Sequence, residues 1–226
     1  MAFTIYLNLN MDDSAKEIAK TTAKALEVAE KVGGFVATIL GEACKELGAS
    51  IHDWAKFYRY RNLLKIQHKI IQIQREKNIE GKSIPIQLSI GIPLIEAASV
   101  VEDDFLQQKW AALIVNATDT NKEEVVRKSF VDILSSMDST DALVLDWLSS
   151  QGWNNTLGNI TTNEIAEKIN IDETEARISM SNLNRLGLID FGVPTTVGTI
   201  DISLSSQETR VRLSYLGWNL VDACKV

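Results

Sequence analysis

"TTNEIAEKINIDETEARISMSNLNRLGLIDF", residues 161–191, holds two helix starts and one helix stop in close succession. Thr161 and Glu164 stand at capping-box spacing, where each side chain meets the other residue's backbone N–H. "NID" reads as a turn. Asp172 is placed to cap the next helix, with Glu175 three residues on, and Gly187 to end it. "LIDF" then reads as a strand. Two short helices joined by a tight turn make a helix-turn-helix unit.

The flanking sequence extends the pattern. "STDALVLDWLSS" (139–150) predicts a preceding helix, capped by Asp138 or Ser139. "TIDISLS" (199–205) alternates Ile200, Ile202 and Leu204, and "TRVRLS" (209–214) alternates Val211 and Leu213 against Arg210 and Arg212. With "SQE" between them these two runs predict a β-hairpin, the wing. "LGWNLVDAC" closes as a helix. Residues 138–226 are therefore expected to form a winged helix-turn-helix domain.

Residues 1–137 read as a separate helical domain, so the fold class is mainly α, a helical bundle followed by the winged module. The 226 residues suffice for two cores. Residues 12–50 are rich in Ala, Lys, Glu and Leu, with an apolar stripe through Ile18, Ala25, Val28, Val32, Phe35, Ile39, Ala43 and Leu47. Residues 51–78 predict a second helical stretch, with Leu63, Ile66, Ile70 and Ile73 as its buried seam. "IQLSIGIPLIEAASV" (86–100) is almost free of charge and, if helical, is expected at the centre of the core. "KEEVVRKSFVDILSS" predicts a helix over about 122–136.

Glu102, Asp103 and Asp104 form the most conspicuous acidic cluster. Leu106, Trp110, Leu113 and Ala117 recur behind it at helical spacing, so Asp103 fits an N-cap and Asp104 a first helical turn, where acids offset free N–H groups. That reading needs no metal, and His52 and His68, the two histidines, lie on another segment. Trp110, Trp147 and Trp218 fall in apolar helical patterns and are expected in the core. Cys44 and Cys224, distant in sequence, are expected as free buried thiols.

The charge distribution bears on partners. The chain carries a net −7 and a sequence pI near 5.0. From 138 to 226 there are twelve acids and six bases, a net of −6. Asp172, Glu173 and Glu175 stand at the end of the third helix that would meet bases. This disfavours nucleic acid, although Arg177, Asn182, Arg185, Arg210 and Arg212 are the contacts a DNA-binding module would use. The positive concentration lies at 51–78, with seven Lys or Arg against two acids. Its polar face, with Arg59, Arg61, Lys65 and Lys69, is either an interaction surface or a solvated helix face balancing acids elsewhere.

No catalytic motif, zinc-ligand pair or dinucleotide fingerprint appears, so no catalytic residue, metal or cofactor is assigned and the chain does not read as an enzyme. "EGKS" (80–83) imitates the end of a phosphate-binding loop, but Glu76 stands where the pattern needs glycine. Neither a secretory signal nor a spanning segment is visible, which predicts a cytoplasmic protein.

Three strings, "IPLIEAASVVEDDFLQQKWAALIVNA" (92–117), "SFVDILSSMDSTDALVLDWL" (129–148) and "LSYLGWNLVDAC" (213–224), together resemble the Abi-alpha (abortive infection alpha) family of bacteria. "RNLLKIQHKIIQIQREKNI" (61–79) is similar to that family's long basic helix. The resemblance covers roughly residues 55–226. In the last string Ser214 and Tyr215 stand where the family has threonine and proline. The resemblance implies a part in anti-phage defence, in which infected cells stop growing or die before phage is released. It brings no catalytic residues. Three functional readings follow: a non-catalytic interaction protein, docking a protein partner or a second copy; a DNA-binding regulator; and a membrane-active effector inserting the amphipathic helix at 24–48, without spanning.

Overall fold

The computed structural model describes residues 54–80, 83–119, 126–151, 158–192 and 209–226. The chain divides into two compact units, Met1–Val131 with Val226 and Asp132–Lys225. The predicted helix over 12–50, the amphipathic segment at 24–48 within it and the strand at 199–205 lie outside the described residues.

In the first unit, α1 (Trp54–Glu76), α2 (Leu88–Ser99) and α3 (Asp104–Thr118) pack together. Leu63, Ile66, Ile70 and Ile73 of α1 are buried, as their spacing predicts. The helix stops at Asn78, whose φ of 55° is left-handed. The Ile79 N–H then reaches the Gln74 carbonyl at 3.0 Å and the Asn78 N–H that of Arg75 at 3.1 Å, closing the terminal carbonyls.

Around α3 burial is broader than the predicted stripe. Trp110 and Leu113 are fully enclosed, and so are Ala111, Ala112, Ile114 and Val115, whereas Ala117 is only half-buried. Emptying the Trp110 site would cost about 3–5 kcal/mol. Ile84, just ahead of α2, is tied to the end of α3 by its N–H on the Thr118 carbonyl at 2.9 Å.

Two expectations need correction here. Residues 86–100 do form a helix, but not one central to the core. Gly91, Leu94, Ala98 and Ser99 are buried, while Leu88 is 66% exposed and Ile92 53%. A helix packed on one side offers its other side to solvent whatever its composition, and α2 spends apolar residues on both. Pro93 sits inside this helix, where it leaves the Ser89 carbonyl without its usual intrahelical donor. The helix expected over 122–136 is described as α4 (Lys128–Ser135); Val126 and Arg127 are not helical.

The second unit runs α5 (Ser139–Ser150), β1 (Gly158–Ile160), α6 (Thr162–Ile169), α7 (Glu173–Arg185), β2 (Ile189–Gly192), β3 (Thr209–Leu213) and α8 (Tyr215–Ala223). The predicted caps are present. Thr161 and Glu164 form a reciprocal capping box on α6, and Asp138 with Asp141 forms another on α5. Asn170 at φ 58° ends α6. Gly187 at φ 72° ends α7, with the Leu188 N–H on the Leu183 carbonyl and its own N–H on that of Asn184, both 2.9 Å.

The strands form one antiparallel sheet in the order β1-β3-β2. Arg210 and Val211 of β3 are flanked by Asn159 and Gly158 on one side and by Gly192 and Phe191 on the other. Among the described residues the pairing partners of β3 are thus "LIDF", continuing to Gly192, and the three-residue "GNI". Ile160, Ile189, Val211 and Leu213 are buried beneath the helices. Of the three tryptophans expected in the core, only Trp110 is there. Trp147 and Trp218 are half-buried, consistent with an indole too large to be fully enclosed at the margin of a small unit. Cys224 is buried and forms no disulfide, and Cys44 lies outside the described residues. The chain is mainly helical with a small antiparallel sheet.

Candidate interaction surfaces

The acidic corner at 102–104 and the basic face of α1 answer each other. Asp103 caps α3 by accepting the Leu106 N–H at 2.8 Å, and Asp104 lies in the first turn. Asp104 also pairs with Lys69 at 2.9 Å, and Glu102 approaches Arg61 at 3.7 Å. The Arg61 guanidinium in addition lies 4.5 Å from the centroid of the Tyr58 ring. The turn between α2 and α3 is held from both sides: the buried Asn62 donates to the Ser99 carbonyl at 3.1 Å, and Gln107 donates to that of Val101 at 2.8 Å. The first bond satisfies a carbonyl at the open end of α2, and the second one in the turn that follows. Two of the four basic-face residues therefore serve this corner, while Arg59 and Lys65 are exposed on α1. The exposed pairs stabilise weakly, about 0–1 kcal/mol each, and act mainly to set register.

The candidate DNA contacts are distributed differently from what a phosphate-binding face requires. Arg177 bonds Glu173 at 2.8 Å, and the same carboxylate oxygen accepts from the Thr162 hydroxyl at 3.2 Å, linking α7 to the start of α6. Asn182 donates to Asp141 at 2.6 Å and to the Ser136 carbonyl at 3.2 Å, so it braces the capping box of α5. Arg185 donates twice to the Asn182 side-chain oxygen, at 3.0 and 2.7 Å. Arg212 faces Asp190 across the β2–β3 ladder at 3.3 Å. Arg210 is placed in β3, its side chain outside those described.

What α7 shows outward is Thr174, Glu175, Ile178, Ser181 and Arg185, with Ile178 63% exposed near the middle. At its start Asp172 accepts the Thr174 N–H at 2.7 Å. The Thr174 hydroxyl, then the backbone N–H groups of Thr174 and Glu175, hold this carboxyl below the ordinary aspartate value of 3.8. Asp172 thus holds its negative charge to lower pH than an ordinary aspartate. Composition in this helix could have signalled the neutral face, because only Arg177 and Arg185 are cationic. The engagement of Asn182 with α5 could not be read from spacing.

Among the described residues no group of three or more His, Cys, Asp or Glu could hold a metal ion, and no helix is long and apolar enough to cross a membrane.

These observations define a class: a mainly helical chain of two compact units, the second built from four helices and a three-stranded sheet whose polar residues chiefly brace helix ends. The family model for abortive infection alpha matches residues 59–224, and the chain belongs to that family. Membership associates it with abortive infection and hence with phage defence. No curated protein and no solved structure matches the chain.

Proposed function

We propose that this chain is a non-catalytic interaction protein of a bacterial abortive-infection system, cytoplasmic, whose second unit is a winged helix-turn-helix module that docks a protein partner through α7. The winged-helix reading is supported by the order helix, strand, helix, helix, strand, strand and by the placement of β3 between β1 and β2. The observation that carries the docking reading is the outward face of α7, where Ile178 is exposed and the cation beside it, Arg185, is bonded to Asn182, instead of the several cations that a DNA-reading helix presents. An apolar centre with a polar rim is the pattern of a protein contact.

The test pairs a phage-plaque assay with DNA binding. Ile178→Glu leaves the fold intact, because the side chain packs on little, and abolishes protection. The wild-type chain gives no mobility shift on its own promoter region at low salt. A shift that weakens steeply as salt is raised would establish the DNA-regulator reading instead. Hydrolysis of a nucleotide or nucleic acid, lost on mutation of a single residue, would make the chain an enzyme.

A further inference from the structure

The composition of α2 does not match its burial, and the mismatch has a symmetry. Ile84, Leu88, Ile92 and Val100 are 44%, 66%, 53% and 57% exposed, and they account for most of the large apolar side chains exposed among the described residues. Ile84 and Val100 lie eight residues either side of Ile92, and Leu88 and Glu96 lie four either side. Glu96 is exposed and is the single charged residue of α2. Within the helix the row reads Leu, Ile, Glu about Ile92, with Val100 at the C-cap and Ile84 in the non-helical segment ahead of Gln87. Residues at i±4 form one ridge on a helix, and such ridges pack into the grooves of a facing helix.

A contact between two identical copies across a two-fold axis must be self-complementary: residue i meets residue j, and j meets i. If two α2 helices cross antiparallel with Ile92 on the axis, Ile92 meets its own copy, and Leu88 faces Glu96. Glu96 then falls beside Leu88 at the start of the partner helix. That start is electrostatically open. Gln87 at the N-cap position makes no side-chain capping bond, and the first turn holds no acid. The positive end of each helix would thus receive the carboxylate of the other, twice over by symmetry. Charge complementarity and apolar matching call for the same register.

We infer that α2 is the contact surface of a symmetric homodimer, antiparallel about Ile92, with Glu96 of each copy closing the open N-terminus of α2 in the other.

The experiment is sedimentation velocity of the full chain over a concentration series, with variants at positions that are exposed and so do not disturb folding. Wild type shows a concentration-dependent dimer. Ile92→Asp raises its dissociation constant at least about a hundredfold, since two copies of a buried isoleucine are lost at one contact. Glu96→Gln weakens it roughly fivefold by removing two charge–dipole contacts. With Ile92→Cys, mild oxidation yields a covalent dimer joined at position 92, mapped by peptide mass spectrometry. Circular dichroism of all three variants matches wild type, and so does Tm at concentrations where wild type is monomeric. A chain that stays monomeric to about 0.1 mM overturns the inference. So does a dimer indifferent to Ile92→Asp, which would use another surface, and so does a Glu96→Gln variant that dimerises as well as or better than wild type. Oxidation that joins position 92 to Cys44 within one chain also overturns it, naming residues 1–53 as the cover of α2.

Discussion

Replacing Gly217 by alanine tests whether the string "LSYLGWNLVDAC" preserves a close approach of backbones. In an ordinary helix Gly→Ala stabilises by about 1 kcal/mol. Here a Cβ at position 217 would stand 2.1 Å from the Leu188 carbonyl oxygen and 3.0 Å from its carbon, both backbone atoms. Ordinary contact would need α8 to withdraw by about 1 Å. The same carbonyl accepts the Ser214 N–H at 2.9 Å, and the Ser214 hydroxyl donates to the Gly187 carbonyl and accepts the Gly217 N–H. Withdrawal loosens all of these at once. Overpacking costs about 1–3 kcal/mol, and a weakened cap adds about 1 kcal/mol. Less the gain in helix propensity, Gly217→Ala should destabilise by about 1–3 kcal/mol. Thermal unfolding followed by circular dichroism should show a Tm lower by roughly 5–20 °C for a unit of this size. A variant as stable as wild type, or more stable, would refute the close packing of α8 on the end of α7.

Tyr215 is the first residue of α8, is 87% exposed and follows a Ser214 with φ −71° and ψ 167°, backbone that proline tolerates before it. Tyr215→Pro should therefore raise stability by about 0.4–1 kcal/mol in denaturant unfolding. Asn182→Ala removes a donor from the buried Asp141 and should cost about 1–3 kcal/mol in the same assay, without changing any affinity for DNA. Asp172 has a folded-state pKa below its unfolded value, so its contribution is present above pH 3.8 and is lost as pH falls through the lower folded value. An NMR titration should place the carboxyl midpoint below 3.8, and Asp172→Asn should flatten the acid-side dependence of stability in that window.

Helix ends were the most legible features of this chain. Asp103, Asp138, Thr161, Asp172 and Gly187 all stand where their short-range chemistry puts them, because a cap is decided by residues within one turn. Sheet pairing was less legible. "GNI" has too few residues for alternation to show, and its place beside β3 is set by chain connectivity rather than by local pattern. The exposed side of α2 was misread for a related reason: composition measures how apolar a helix is, not how many of its sides meet protein. On the candidate surfaces, the scarcity of cations in α7 was visible from the sequence. That Arg61 and Lys69 serve Glu102 and Asp104 was visible only as the general alternative of a face balanced by acids elsewhere, since the partners lie more than thirty residues away.

The division between engaged and exposed groups has a consequence for how binding should behave. Arg61, Lys69, Arg75, Arg177 and Arg212 each face a carboxylate of this chain, and Arg185 bonds the Asn182 amide. Among the described residues, Leu88, Ile92 and Ile178 are large apolar side chains left more than half exposed. Surfaces centred on such residues associate through removal of apolar area from water, which salt does not screen. A partner held by α7 should therefore bind with nearly the same affinity at about 50 and 200 mM salt, whereas several phosphate contacts would lose on the order of a thousandfold over that range. Isothermal titration at the two salt concentrations, with whichever partner is recovered, separates the readings. A large loss at the higher salt would place the recognition on Arg59, Lys65 or Arg210 and remove Ile178 from it.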